Sequence, residues 1–170
     1  MHTPSRKQKG DVAELKVACD LRDRGYRIAI PFGEESDYDL IIDRDGLLER
    51  VQVKYTESDG VVIEVNCRSN SLTNGKVRCV KRYTSAMIDW LAVYDRTSDR
   101  CYYIPSSELG DGRDHFSLRL KAPRNFQRAG IHFAEHYLDP IGALQESFER
   151  MEPAGLEPAT SCLQGRRSSS

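Results

Sequence analysis

The stretch Ser36-Asp37-Tyr38-Asp39-Leu40-Ile41-Ile42-Asp43-Arg44-Asp45-Gly46-Leu47-Leu48-Glu49-Arg50-Val51-Gln52-Val53-Lys54-Tyr55-Thr56 reads as two strands joined by a tight turn. Residues 38–43 form the first strand and Leu47–Thr56 the second, with Arg44-Asp45-Gly46 between them. Side chains alternate along a strand, so Leu40 and Ile42 share one face while Asp39 and Ile41 share the other. On the second strand Gln52 and Lys54 share a face and Val51 and Val53 point away. Pairing of the two strands sets Asp39 opposite Gln52 and Lys54. Asp37 lies before the regular run, so the register favours Asp39 over Asp37.

Working outward, residues 8–25 have helical periodicity, started by Gly10-Asp11 and ended by Arg24-Gly25. Val12, Leu15, Ala18, Cys19 and Leu21 form the expected apolar arc. Glu14 falls within that arc, and a partly buried carboxylate needs a partner. Packing of this helix on the Gln52 and Lys54 face is expected to deliver Glu14 to them. Further strands are expected at residues 27–31, 61–68, Lys76–Arg82, Trp90–Asp95, Arg100–Pro105 and 116–120. Asn74-Gly75 marks a hairpin turn, residues 84–88 a helical turn and Ser106–Leu109 a short helix. Residues 131–138 suit either helix or strand. The expected architecture is α/β, a mixed β-sheet flanked by helices.

With 170 residues, 39% of them apolar and 30% charged, the chain has the balance of one folded domain. Its N-terminus lacks the apolar core of a secretion signal, and no apolar run is long enough to span a membrane. The five scattered cysteines contain no C-x-x-C pair, as expected of reduced thiols in a cytoplasmic, nucleoid-associated protein.

Charge is segregated along the chain. Glu34 to Glu64 carries ten acids against three bases. Asn66 to Ile88 carries five bases and no acid, and His115 to Ala134 carries four bases and no acid. An acidic centre between basic segments suits a site that handles a polyanion with a cation: carboxylates for the metal, bases for phosphates. Lys76, Arg78, Lys81 and Arg82, on a β-ribbon, and Arg124 and Arg128 are the candidate DNA-binding residues.

Asp39, the Gln52 amide oxygen and a backbone carbonyl such as that of Val53 form a hard-oxygen set suited to Mg²⁺, with Mn²⁺ as a substitute, and Glu14 can hold the metal through water or bind a second ion. Lys54 can orient an attacking water or offset charge on phosphate. Glu14, Ser36-Asp37-Tyr38-Asp39 and Val51-Gln52-Val53-Lys54 resemble the PD-(D/E)XK nuclease superfamily, in a version with Gln52 where an acid is commoner. Together with Asp89-Trp90-Leu91-Ala92-Val93-Tyr94 and Tyr102-Tyr103-Ile104-Pro105, they are similar to its group I intron-associated homing endonuclease branch.

The resemblance implies a restriction-endonuclease-like fold and hydrolysis of double-stranded DNA at a long site. It implies Glu14, Asp39, Gln52 and Lys54 as catalytic residues, with Glu14, Asp39 and Gln52 on the metal. A double-strand break by single-site chains implies a homodimer, and analogy with the family extends this to a tetramer. Gln52 removes one negative charge and keeps a catalytically inactive DNA-binding module in view. A junction resolvase or restriction-type nuclease is the other alternative.

His132-Phe133-Ala134-Glu135-His136 matches an H-x-x-E-H zinc motif if it lies on a helix. Residues 1–7 read as a basic arm, 8–150 as the endonuclease domain and 151–170 as a disordered tail. Within that tail, Leu156-Glu157-Pro158-Ala159-Thr160-Ser161 can be encoded by codons containing TCGAACC, the complement of a transfer-RNA T-arm run. The expectation is therefore that the intron interrupts a tRNA gene and that the enzyme cuts the intronless allele.

Overall fold

The computed structural model describes residues 4–33, 36–73, 76–122 and 130–141. The expected tail, Asn74-Gly75, Arg124 and Arg128 fall outside them. Helix α1, Arg6–Asp23, starts earlier than the Gly10-Asp11 signal. Ser5 is the N-cap: its side chain accepts from the Gln8 N–H, and the Gln8 side chain accepts from the Ser5 N–H. This reciprocal pair satisfies two backbone donors that the first turn would leave unpaired. Arg6 and Lys7 of the expected arm are thus helical.

The buried ridge of α1 is Ala13, Val17 and Leu21, whereas Val12 and Leu15 are exposed. The expected arc was rotated too far. Small residues decide the true face, because Ala13 lets the helix approach a sheet more closely than Val12 or Leu15 could. Glu14 borders the buried ridge and is half-buried.

The main sheet has the order β1-β2-β3-β7-β8, from β1 (Arg27–Ala29), β2 (Leu40–Arg44), β3 (Leu47–Thr56), β7 (Trp90–Asp95) and β8 (Arg100–Pro105). The β2–β3 hairpin is antiparallel with Leu40 opposite Val51, as the alternation predicts. Strand β7 runs parallel to β3 and antiparallel to β8, and all six of its residues are buried. A continuous apolar strand belongs at the centre of such a mixed sheet, covered on both faces.

Helix α1 covers the face that carries Val51, Val53 and Tyr55. The Lys9 ammonium lies 5.1 Å from the Tyr55 ring centre, Lys16 lies 5.5 Å from that of Tyr94, and the Tyr103 hydroxyl donates to Asp20 at 2.6 Å. This corrects the expectation that α1 packs on the Gln52 and Lys54 face. The apolar valines of β3 draw the apolar ridge of the helix, and the polar pair is left on the reverse side.

The expected strand at residues 61–68 is two strands, β4 (Val62–Asn66) and β5 (Arg68–Thr73). Cys67 divides them: its N–H donates to Asp114 O at 2.9 Å and its carbonyl accepts from the Tyr83 N–H at 3.1 Å. Strand β4 joins β9 (His115–Arg119) and β10 (His132–Phe133) in a second sheet. Strand β5 pairs with β6 (Lys76–Arg82) as a separate two-stranded ribbon. Residues 131–138 give both alternatives in turn, β10 followed by a 3-10 turn at Ala134–Tyr137. His132 and His136 therefore do not share a helical face, which removes the zinc motif's geometry. Among the described residues α1 is the one α-helix, and Ser106–Leu109 is a 3-10 turn. No described helix is long and apolar enough to cross a membrane.

Beneath the β2–β3 hairpin lies a polar contact that the alternation conceals. Glu49 is buried, accepts from the Trp90 indole N–H at 3.1 Å, and lies 2.8 Å from the Arg44 guanidinium. Replacing one member strands the other charge in a poorly hydrated place. Urea denaturation of Glu49→Ala is expected to show a loss of about 2 kcal/mol, and Arg44→Met added to Glu49→Leu should recover most of it. Equal losses in both proteins would show that the charge pairing is irrelevant.

Candidate active site

The β2–β3 ladder stops at Leu40 and Val51. One step beyond, the Asp39 N–H still donates to Val51 O at 2.9 Å, but the Val53 N–H meets no backbone carbonyl of β2. It donates instead to Asp39 Oδ2 at 2.8 Å. The Asp39 carboxylate thus occupies the gap where the strands part, close to the plane of the sheet. From one side the Gln52 Nε2 reaches the same oxygen in a short hydrogen bond and also donates to Val53 O at 3.2 Å. From the other side comes Glu14. A gap in the ladder is open to both faces, so Glu14, on a helix that covers the valine face, still feels the Asp39 charge.

The electrostatics support one shared site. Burial pushes the Asp39 carboxyl up from its ordinary value, opposed by the Val53 N–H, the Lys54 charge and the Gln52 amide. Burial also raises Glu14, and the nearby Asp39 charge raises it further. Glu14 has no hydrogen-bond or ion-pair partner among the described residues. Two desolvated carboxylates that repel each other, one of them unpartnered, form a cradle for a cation. The Gln52 amide can turn its oxygen inward by rotating about its last side-chain bond, because the amide carries both donor and acceptor. Among the described residues no three Asp, Glu, His or Cys side chains converge. The donor set that fits a hard cation is thus two carboxylates completed by the Gln52 amide oxygen and the Val53 carbonyl.

Lys54 projects from the same face as Gln52, and its ammonium donates to the Tyr83 hydroxyl at 3.0 Å. Asp37 is exposed to solvent on one side and pairs with Lys81, which leaves Asp39 as the carboxylate at the ladder gap. Of the basic candidates, Lys76 and Arg78 lie on β6, and Arg82 binds Asp114 at 2.7 Å. Tyr83 escaped the sequence reading. No motif marks it, and its proximity to Lys54 depends on where the ribbon joins the rest of the fold.

The profile of the PD-(D/E)XK endonucleases matches residues 4–140. The chain belongs to that family. This PD-(D/E)XK endonuclease is similar in fold to a bacterial homing endonuclease, I-Ssp6803I, with a TM-score of 0.67 and 19% identity. The likeness covers 87% of this chain and 98% of that one. No curated protein sequence matches the chain. The restriction-endonuclease-like α/β fold read from the sequence is thereby borne out.

A carboxyl raised by burial makes the folded protein more stable when protonated. That stability is lost as pH climbs from the ordinary aspartate value of 3.8 through the raised value of Asp39. Metal-free Asp39→Asn is therefore expected to melt with a flatter pH dependence than wild type across that range. Millimolar Mg²⁺ should raise the wild-type Tm, by about 1.4 kcal/mol of stability at ten times Kd, and leave Asp39→Asn unmoved. A calorimetric scan in which both proteins respond equally to Mg²⁺ would place the ion elsewhere.

Proposed function

We propose that this endonuclease hydrolyses phosphodiester bonds of double-stranded DNA in a divalent-metal-dependent reaction, as an intron-encoded homing enzyme acting on an uninterrupted tRNA gene. The observation that carries the chemistry is the meeting of Asp39, Gln52, Lys54 and the unpartnered Glu14 at the gap in the β2–β3 ladder. The fold likeness to a bacterial homing endonuclease supports the branch, and the compatibility of residues 156–161 with codons that contain a T-arm complement supports the target.

Glu14, Asp39, the Gln52 amide oxygen and the Val53 carbonyl would hold Mg²⁺ or Mn²⁺. When bound, that ion offsets charge on the scissile phosphate and makes water more acidic. Asp39 is held in place by the Val53 N–H, so its second oxygen keeps a defined direction. Gln52 supplies a neutral donor, which lowers the charge of the site and with it the affinity for cation. Lys54 brings a positive charge that can orient the attacking water and stabilise the extra negative charge of the transition state. The β5–β6 ribbon, whose sequence carries Lys76, Arg78, Lys81 and Arg82, is the element to enter a major groove, which admits a two-stranded ribbon. Lys81 and Arg82 hold exposed carboxylates, Asp37 and Asp114, that DNA phosphates can replace. Each chain carries one such site, so cutting both strands calls for a homodimer or tetramer.

Gln52 favours one other reading, an inactive DNA-binding module. The two are separated by a plasmid carrying the joined tRNA exons deduced from the nucleotides downstream of the reading frame, incubated with and without Mg²⁺. Linearisation only with Mg²⁺ is expected, and Lys54→Ala should reduce its rate by about 100-fold or more while retaining DNA binding. Binding without cleavage in either Mg²⁺ or Mn²⁺ establishes the module. Preference for a branched junction over this plasmid would make the chain a resolvase.

A further inference from the structure

The side chain that holds Lys54 does not come from the main sheet. Tyr83 follows directly on β6, is 3% exposed, and closes the root of the ribbon through its N–H on Cys67 O at 3.1 Å. Its hydroxyl accepts from Lys54 Nζ at 3.0 Å, and the same ammonium lies 4.8 Å from the centre of its ring. Oxygen and ring thus restrain an ammonium group that otherwise turns freely on a four-carbon stem.

Lys81, two residues earlier and therefore on the same face of the strand, pairs with Asp37. Asp37 in turn lies two residues before Asp39. The end of β6 is consequently tied to the active site twice, once at the segment that carries Asp39 and once at Lys54.

We infer that Tyr83 is a positioning residue for Lys54, and that through it the seating of the β5–β6 ribbon on DNA and the placement of the lysine are mechanically linked. This rests on the nuclease reading above. When phosphate claims Lys81, the tie to Asp37 is released, while the Tyr83 oxygen keeps Lys54 in register with Asp39 as the ribbon settles.

Tyr83→Phe tests this, because it keeps the buried ring and removes only the oxygen. With the joined-exon duplex as probe and enzyme in excess, the single-turnover rate constant is expected to fall about 10- to 100-fold. The Kd from gel shift without divalent metal should stay within about twofold, since the ribbon's phosphate contacts are untouched. Amine labelling of Lys54 in the DNA-free protein, read by peptide mass spectrometry, should become faster than in wild type. An unchanged rate constant, or a loss that tracks Kd, overturns the inference while leaving the nuclease reading intact. If wild type cuts no DNA, the nuclease reading fails and the positioning role falls with it. If Tyr83→Phe loses its cooperative melt, the wild-type protein decides: Lys54 must label more slowly than exposed Lys121, and equal labelling overturns the proposal.

Discussion

Where β2 and β3 part company, the Val53 amide has lost its backbone partner, and the carboxylate of Asp39 takes that place. A buried N–H without an acceptor costs about 1–3 kcal/mol, so the structure gains by putting an oxygen there. The oxygen chosen belongs to a charged group, and its burial is costly in turn. The opposing demands make the position useful. The amide fixes the carboxylate in space, and Lys54 and the Gln52 amide offset its charge only in part. Gln52, Lys54 and Glu14 all acquire meaning from their distance to this one group.

The rest of the fold serves to keep that gap in shape. Strand β7 lies buried along the far side of β3 and holds it straight, so the register of Gln52 and Lys54 cannot slip without moving Leu91 and Val93. The Asp89 carboxylate accepts from both the Arg50 backbone and its guanidinium, at 2.7 and 3.0 Å, pinning the approach to the site. On the valine face, α1 is held at several points by Tyr55, Tyr94 and Tyr103, and these contacts set the angle at which Glu14 arrives. On the other face the ribbon root brings Tyr83 beneath Lys54. Two packing layers built from different parts of the chain thus converge on a single opening between two strands.

Much of this was legible beforehand. Strands β3, β6, β7 and β8 fall at the bounds that alternation and turn chemistry predict, because local residue choice and burial agree there. Register alone favours Asp39 over Asp37, and Asp37 pairs with Lys81. The failures have particular causes. Gly10-Asp11 carries a local start signal, but Ser5 caps the helix with Gln8 and starts it a turn earlier. Apolarity alone points to Val12 and Leu15 as core, whereas the small Ala13 is the residue buried and both of these are exposed. The division of the fourth strand at Cys67 is invisible locally, since it arises when Asp114 and Tyr83 capture its backbone from distant segments.

From residue order alone came the hairpin, its period of two, and the placing of Asp39, Gln52 and Lys54 on one side, for these depend only on neighbours in the chain. The approach of Glu14 from the opposite face, the break in the ladder that lets it meet Asp39, and the grip of Tyr83 on Lys54 were settled by packing. They link segments 25 to 29 residues apart in sequence, and contacts at such separations depend on how whole elements bury their surfaces rather than on any local preference.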